Sequence, residues 1–446
     1  MIFHLFFIGL YLLFRDISSG EYVNYIFIIH CAIGIIINVF KKRSFISPIV
    51  VFYAASIFAT VGNIDVIGNI GKSKAGGYAY IVTRFIPEAN LIWTVGCSVV
   101  FIGWELFTNV SLPAVEYGLS KKNIDKYFRI TVAFAVLMPI IGSSLAFLGS
   151  LLKLFSLIGL IGILFYSRLW AVEGSAKYRR YTVILFLIQT WVALNYSYLR
   201  AELITPAVIL IMGYVIGKGN IKSMLSAKMV PFIVVIIAFA SIFGELGKYR
   251  SEFGSAIVNR YVFGDEGPKP ELFGEEEGQQ LGLLDRSASV AQLTNIEKLV
   301  ENNGFYDGAA SAPILLALIP RFLWPDKPQI QLGAWFAVEI GVAYKEKGGM
   351  ANNSVNMTVP GELYLDFGWF GILIGCLLYG GIVSSMWNSL RFYENEYNIL
   401  GVIMGGYMLL NAFYGLNADL QLLVTYASVY LIFYTMKVVL PLIIKE

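Results

Sequence analysis

Twelve apolar segments follow one another along this chain, at about residues 2–14, 23–40, 46–62, 89–108, 130–147, 150–167, 181–196, 203–217, 230–244, 362–386, 397–414 and 420–442. A helix that crosses a bilayer needs ~20 mostly apolar residues, because lipid offers backbone amides and carbonyls no water to bond. Segments of this kind, so often repeated, predict an all-α polytopic membrane bundle of about twelve transmembrane helices. Composition points the same way. Hydrophobic residues make up 57% of the 446 and charged residues 14%, whereas soluble domains carry about a quarter charged residues. A soluble protein built this way could not cover its surface with polar groups. The opening run, MIFHLFFIGLYLLF, has no basic stretch before it and no A-x-A site after it. It reads as a short first helix that stays in the protein, not as a cleaved signal.

The loops sort the segments into an orientation. One alternating set of loops holds Lys41, Lys42, Arg43, Lys121, Lys122, Lys126, Arg129, Arg168, Lys177, Arg179, Arg180, Lys218, Lys222, Lys228, Arg391, Lys437 and Lys445. The other set of short loops holds only Arg15, Lys72, Lys74, Arg84, Lys153 and Arg200. Positive residues concentrate on the cytoplasmic side of membrane proteins. The richer set is therefore expected inside, with both termini. Residues 1–244 then carry spans one to nine and residues 362–446 spans ten to twelve. Residues 245–361 form one large extracytoplasmic loop, long enough to be translocated whatever its charge. Apolar patches at 281–300, 313–324 and 332–343 predict short helices within it, lying on the membrane or the bundle. In VAQLTNIEKLV the apolar positions 290, 293, 296 and 300 have helical spacing, and Asn303-Gly304 is expected to end that helix. Residues 263–280 are acidic and rich in Gly and Pro, the composition of a loop.

Motifs exclude more than they assign. There is no P-loop, dinucleotide fingerprint or zinc motif, so nucleotide-driven chemistry and metal hydrolysis are not expected; no cofactor and no nucleic-acid partner is expected either. Cys31, Cys97 and Cys376 lie in apolar runs without metal-ligand spacing and read as packed thiols. His4 and His30 lie in the first two segments and read as packed or helix-end histidines. What remains on the outer side is arginine, carboxylate, aromatic and amide chemistry. Arg200, in NYSYLRAELITP, sits between two spans. A charge at that depth either reaches lipid phosphate or faces a cavity, and an arginine fork suits phosphate oxygens in both cases. Glu202 lies two residues on and would not share a helical face with it. Arg250, Arg286 and Arg321 follow on the same side.

Two strings stand out in the loop. In Ile319-Pro320-Arg321-Phe322-Leu323-Trp324-Pro325-Asp326-Lys327-Pro328, the prolines forbid a regular helix and impose an extended or turning path. Trp324 would either anchor at the interface or stack on a sugar. Met357 to Gly368 then leads into the tenth span, with Glu362 and Asp366 at i and i+4 on one helical face. Those carboxylates would serve as a general base or as partners of an outer arginine.

These strings resemble the oligosaccharide repeat-unit polymerases, the Wzy-type O-antigen and exopolysaccharide polymerases. The Leu-Trp-Pro string with its flanking basic residues stands here as Pro320 to Pro328, and Pro-Gly-Glu-x-Tyr-x-x-Phe-Gly as Pro360 to Gly368. Leu199-Arg200-Ala201 occupies the place of the family's arginine turn, although Tyr-Ser-Tyr-Leu replaces the usual Gly-Ser/Thr lead. The match covers about 190–375, and the first half agrees in topology alone.

The resemblance implies an enzyme at the outer face of the bacterial cytoplasmic membrane, acting on undecaprenyl-diphosphate-linked oligosaccharides without metal or cofactor. Arg200, Arg250 and Arg321, with Glu362, would be catalytic. Arg84, Glu202, Arg286, Trp324, Lys327, Tyr364 and Asp366 would bind substrate, with Glu202 a second candidate base. Membrane lipids, a flippase and a chain-length regulator are the partners it implies. A flippase or other transporter is the competing reading from a different class, and no internal repeat favours it. The related O-antigen ligases depend on a histidine in the outer loop, and this chain has none after position 30.

Overall fold

Each apolar segment holds a helix in the computed structural model, which describes residues 1–17, 21–40, 46–70, 81–116, 118, 121–141, 150–193, 200–219, 223, 226–241, 288–316, 324, 332–344, 354–392 and 397–443. Among these residues there is no strand, only an isolated bridge between Gly118 and Asn398. Four helical stretches are long and apolar enough to cross a membrane: Glu21–Phe40, Pro48–Gly68, Thr83–Leu106 and Val359–Ser389. Shorter apolar helices include Ile2–Phe14, Ile399–Ala412 and Gln421–Thr435.

The contacts divide the chain into two units, Met1–Gly118 with Leu284–Glu446, and Leu119–Leu283. The first unit contains α1 (Ile2–Phe14), α2 (Glu21–Phe40), α3 (Pro48–Gly68) and α4 (Ile86–Leu106). The second contains α5 (Ile124–Ile141), α6 (Ser150–Glu173), α7 (Ala176–Val192), α8 (Arg200–Lys218) and α9 (Val230–Ser241). The first resumes with α10 (Val290–Asn303), α11 (Ala312–Leu316), α12 (Leu332–Glu339), α13 (Val359–Phe370), α14 (Leu377–Ser389), α15 (Ile399–Ala412) and α16 (Gln421–Ile443). This division differs from one drawn by span and loop. The later part of the expected outer loop belongs with the first four and last three apolar helices, because its helices bury their faces there.

At the centre of the first unit, α4 is buried at every position from Ala89 to Trp104. A helix apolar on all sides must be enclosed by others, and α1, α2, α10, α13 and α14 all pack on it. Its crossing with α14 is backbone on backbone. A Cβ on Gly380 would fall 2.0 Å from the Val100 carbonyl oxygen, and Ser384 Oγ donates across the same crossing to the Trp104 carbonyl at 3.0 Å.

The helix α10 ends at Asn303 with Gly304 at φ 76° and ψ −176°, a conformation open to glycine. Val290, Leu293 and Ile296 are fully buried, as their spacing predicts, while Val300 on the same stripe is half-buried. The buried arc is wider than that stripe, because the helix packs on both α4 and α13 and encloses Thr294, Asn295 and Glu297 as well. Asn63, near the end of α3, holds its first turn. Asn63 Oδ1 accepts from the backbone N–H groups of Ser289 and Val290 at 2.7 and 3.0 Å.

In the second unit, α6 is the common partner of α5, α7 and α8. Gly213 and Gly217 form a G-x-x-x-G face on α8. A Cβ on Gly213 would lie 2.0 Å from Ser167 Oγ and 2.5 Å from the Leu164 carbonyl oxygen. Small residues at this spacing let helix backbones meet. Gly213→Val is expected to force α6 and α8 apart and to destabilise the unit by about 1–3 kcal/mol, read as a lower unfolding temperature of the purified protein.

Candidate functional site

Among the described residues, irregular backbone gathers at the Pro-Gly-Glu string. Thr358 has φ 70° and ψ 150°, and its hydroxyl accepts from the Gly361 N–H at 3.0 Å. Pro360 follows in the first turn, where a missing N–H costs nothing. The helix then breaks at Gly368, with φ 59° and ψ −146°. Its continuation passes through a π-helical stretch, Gly371–Cys376, before α14 begins. Left-handed residues, a break and π turns are costly local choices that gather at functional positions.

Both carboxylates of α13 are fully buried, and each fastens a different neighbour. Asp366 accepts from the backbone N–H groups of Ala310 and Ser311 at 3.0 and 2.9 Å, and from the Ser311 hydroxyl. Beside it, the Tyr306 and Asp307 N–H groups donate to the Leu365 and Asp366 carbonyls at 3.1 and 3.0 Å. Glu362 Oε2 accepts from the Leu420 N–H at 2.9 Å, while its Oε1 is buried with no partner among the described residues. Asp419, in the loop before α16, accepts from the Met357 N–H at 3.2 Å. Burial pushes the Asp419 carboxyl up to about 6. Among the described residues neither Glu362 nor Asp366 touches an arginine.

Tyr364 is buried, with its ring edge-on to Phe305 and Trp369 at 5.9 Å between centroids in both cases. Trp369 Nε1 donates to Glu88 Oε1 at 3.1 Å, and Arg15 lies 3.7 Å from the other Glu88 oxygen. Arg84 is exposed and pairs with Glu301. Trp324 is 37% exposed and outside any helix.

Glu297 was not singled out by the sequence. It is not among the apolar positions of its helix, yet the enclosure of α10 buries it and leaves its Oε1 without a partner among the described residues. Burial, then the carboxylates of Glu88 and Glu301, push Glu297 up to about 8. The folded state therefore holds a proton that the unfolded chain releases above its ordinary value near 4.5. This group's contribution to stability is expected to fall as pH rises from about 4.5 to about 8. Glu297→Gln is expected to flatten that decline, seen by unfolding temperature against pH.

Arg200 begins α8 and Glu202 follows in its first turn. The side chains of both, and all of Arg250, Arg286, Arg321, Lys327 and residues 263–280, lie outside the described residues. Cys31, Cys97 and Cys376 are free and buried. Among the described residues no group of His, Cys, Asp or Glu is placed to hold a metal ion.

No known protein family, curated protein or solved structure matches the chain.

Proposed function

We propose that this protein polymerises lipid-linked oligosaccharide repeat units. In this reading the bundle has twelve spans, with both termini in the cytoplasm and residues 245–361 outside a bacterial cytoplasmic membrane. The observation that carries the proposal is Glu362. It belongs to the string that bears the resemblance, it is fully buried beside a left-handed Thr358 and a broken helix, and one of its oxygens has no partner among the described residues. Irregular backbone at membrane depth is tolerated where it is enclosed in protein or lines a cavity. A buried carboxylate with an open oxygen is equipped to receive a proton there.

The reaction joins two undecaprenyl-diphosphate-linked glycans. A hydroxyl of the acceptor sugar attacks the anomeric carbon of the donor glycan. The new glycosidic C–O bond forms as the bond from that carbon to the diphosphate oxygen breaks. The hydroxyl proton passes to a carboxylate, for which Glu362 is the first candidate and Glu202 the second. Undecaprenyl diphosphate leaves with the bonding electrons, so negative charge grows on its oxygens. Arg200, Arg250, Arg286 and Arg321 would hold that charge. No metal or nucleotide enters this scheme. A flippase would supply the substrate and a chain-length regulator would act on the product.

Purified protein in liposomes, supplied with lipid-linked repeat units, is expected to form dimers and longer chains without added metal. Arg200→Ala, Arg250→Ala and Arg321→Ala are each expected to slow extension about 10²–10³-fold, the loss typical of removing one such charge stabiliser. Wild-type rates in all three variants would remove the clamps from the mechanism.

A further inference from the structure

The three buried residues of α1 are His4, Phe7 and Tyr11, spaced i, i+3 and i+7 on one face. All three meet His30, at the middle of α2. The Phe7 ring stacks on the His30 ring with 4.5 Å between centroids. His4 Nδ1 lies 2.7 Å from His30 Nε2, and Tyr11 Oη lies 2.5 Å from His30 Nδ1. The outer nitrogen of His4, Nε2, lies 3.4 Å from Glu105 Oε1 near the end of α4. Both imidazoles are fully buried, whereas the Glu105 side chain is 28% exposed at the edge of the unit. The other titratable groups around the pair are Tyr53 on α3, stacked on His4, with Cys31 on α2 and Cys97 on α4. The Met1 amino group contacts the other Glu105 oxygen. Ser98 Oγ is 3.4 Å from His30 Nδ1, but its proton goes to the Thr94 carbonyl at 2.7 Å.

A neutral imidazole has one donor and one acceptor nitrogen. With Glu105 ionised, His4 Nε2 must carry hydrogen, because a bare nitrogen there would face an anion. His4 Nδ1 is then the acceptor, so His30 donates from Nε2. His30 Nδ1 in turn accepts from the Tyr11 hydroxyl. The neutral cluster therefore has one consistent polarity, Tyr11 to His30 to His4 to Glu105. One further proton reverses part of it. A charged His4 carries hydrogen on both nitrogens: Nδ1 donates to His30 Nε2, and Nε2 faces the Glu105 carboxylate at 3.4 Å as a charge contact, without a hydrogen bond among the described residues. His30 must then carry its hydrogen on Nδ1 and donate to Tyr11. A second charged ring 2.7 Å away is opposed by like-charge repulsion, so the pair holds one proton and titrates as a unit.

We propose that His4, His30, Tyr11 and Glu105 form a proton-binding site within the bundle, which takes up a single proton on the His4–His30 pair with the charged His4 ring facing Glu105. Ionisable residues inside membrane bundles commonly mark proton sites and relays. Here the site also carries the whole buried face of α1, so proton uptake rewires the contact that docks α1 on α2 and α4. The inference does not depend on glycosyl transfer.

The chain has two histidines, so every imidazole signal of the ¹⁵N-histidine-labelled protein in lipid nanodiscs belongs to this site. At high pH both rings are expected neutral with hydrogen on Nε2. As pH falls, one uptake event is expected, in which His4 becomes doubly protonated and His30 switches its hydrogen to Nδ1. Glu105→Gln, at a partly exposed position, is expected to lose the His4 imidazolium signal over the pH range where the unaltered protein shows it. Tyr11→Phe should remain folded by thermal unfolding and lose the paired tautomer switch. Rings that stay neutral until unfolding, rings that titrate independently, or an imidazolium that persists in Glu105→Gln would each overturn the proposal.

Discussion

Glu362→Gln is expected to leave the protein folded at normal membrane levels and to slow chain extension about 10²–10⁴-fold, the usual contribution of a positioned acid or base. The substitution is chosen because it separates structure from chemistry. Glutamine keeps the size of the side chain and a carbonyl oxygen to accept the Leu420 N–H, the bond that Glu362 Oε2 makes at 2.9 Å. It removes only the capacity of the buried Oε1 to take a proton. Extension rate in liposomes and unfolding temperature in detergent are the paired readouts. A variant that extends chains at the normal rate would move the base to Glu202 or elsewhere.

Asp366→Ala is expected to fail differently. One helical turn further along the same face, this carboxylate accepts from two backbone N–H groups and a hydroxyl of the 310–311 turn. Removing it strands buried donors, each at a cost of about 1–3 kcal/mol. The expected loss is roughly 2–5 kcal/mol, seen as a clearly lower unfolding temperature and reduced membrane levels. The 306–311 turn is expected to detach from α13, because its backbone bonds to Leu365 and Asp366 are the other half of that contact. Unchanged stability in Asp366→Ala would mean that water or a neighbouring group replaces the carboxylate.

The contrast between these residues marks how far the sequence could be read. Their shared face followed from i, i+4 spacing, and they do lie buried together at the start of the span. Which was the anchor and which had an open oxygen could not follow, because their partners at 310–311 and 420 are about 55–58 positions away. Helix positions were legible for the same reason that α10 was, since apolar periodicity is local. The end of α10 was legible because only glycine adopts the positive-φ, extended conformation of Gly304 (φ 76°, ψ −176°) at little cost. Glu297 was not, because a wider arc of that helix is enclosed than its apolar stripe specifies. His4 and His30 looked like packed histidines, and their burial agrees with that. Their mutual hydrogen bond across 26 residues is a tertiary fact that spacing does not encode. The grouping of residues 284–446 with 1–118 is likewise set by which helix faces meet, not by where loops fall in the chain.

The most direct test of repeat-unit polymerisation is the length of the surface glycan in the host. The gene is deleted, the polysaccharide is resolved on a gel, and the strain is complemented with the unaltered gene or with Arg200→Ala. Polymerisation predicts that deletion leaves single-repeat glycans, that the unaltered gene restores the ladder of lengths, and that Arg200→Ala, present at normal levels, does not. Loss of the single repeats together with the ladder would contradict it, placing the block at export or at a later transfer step and making the protein a transporter or a ligase instead.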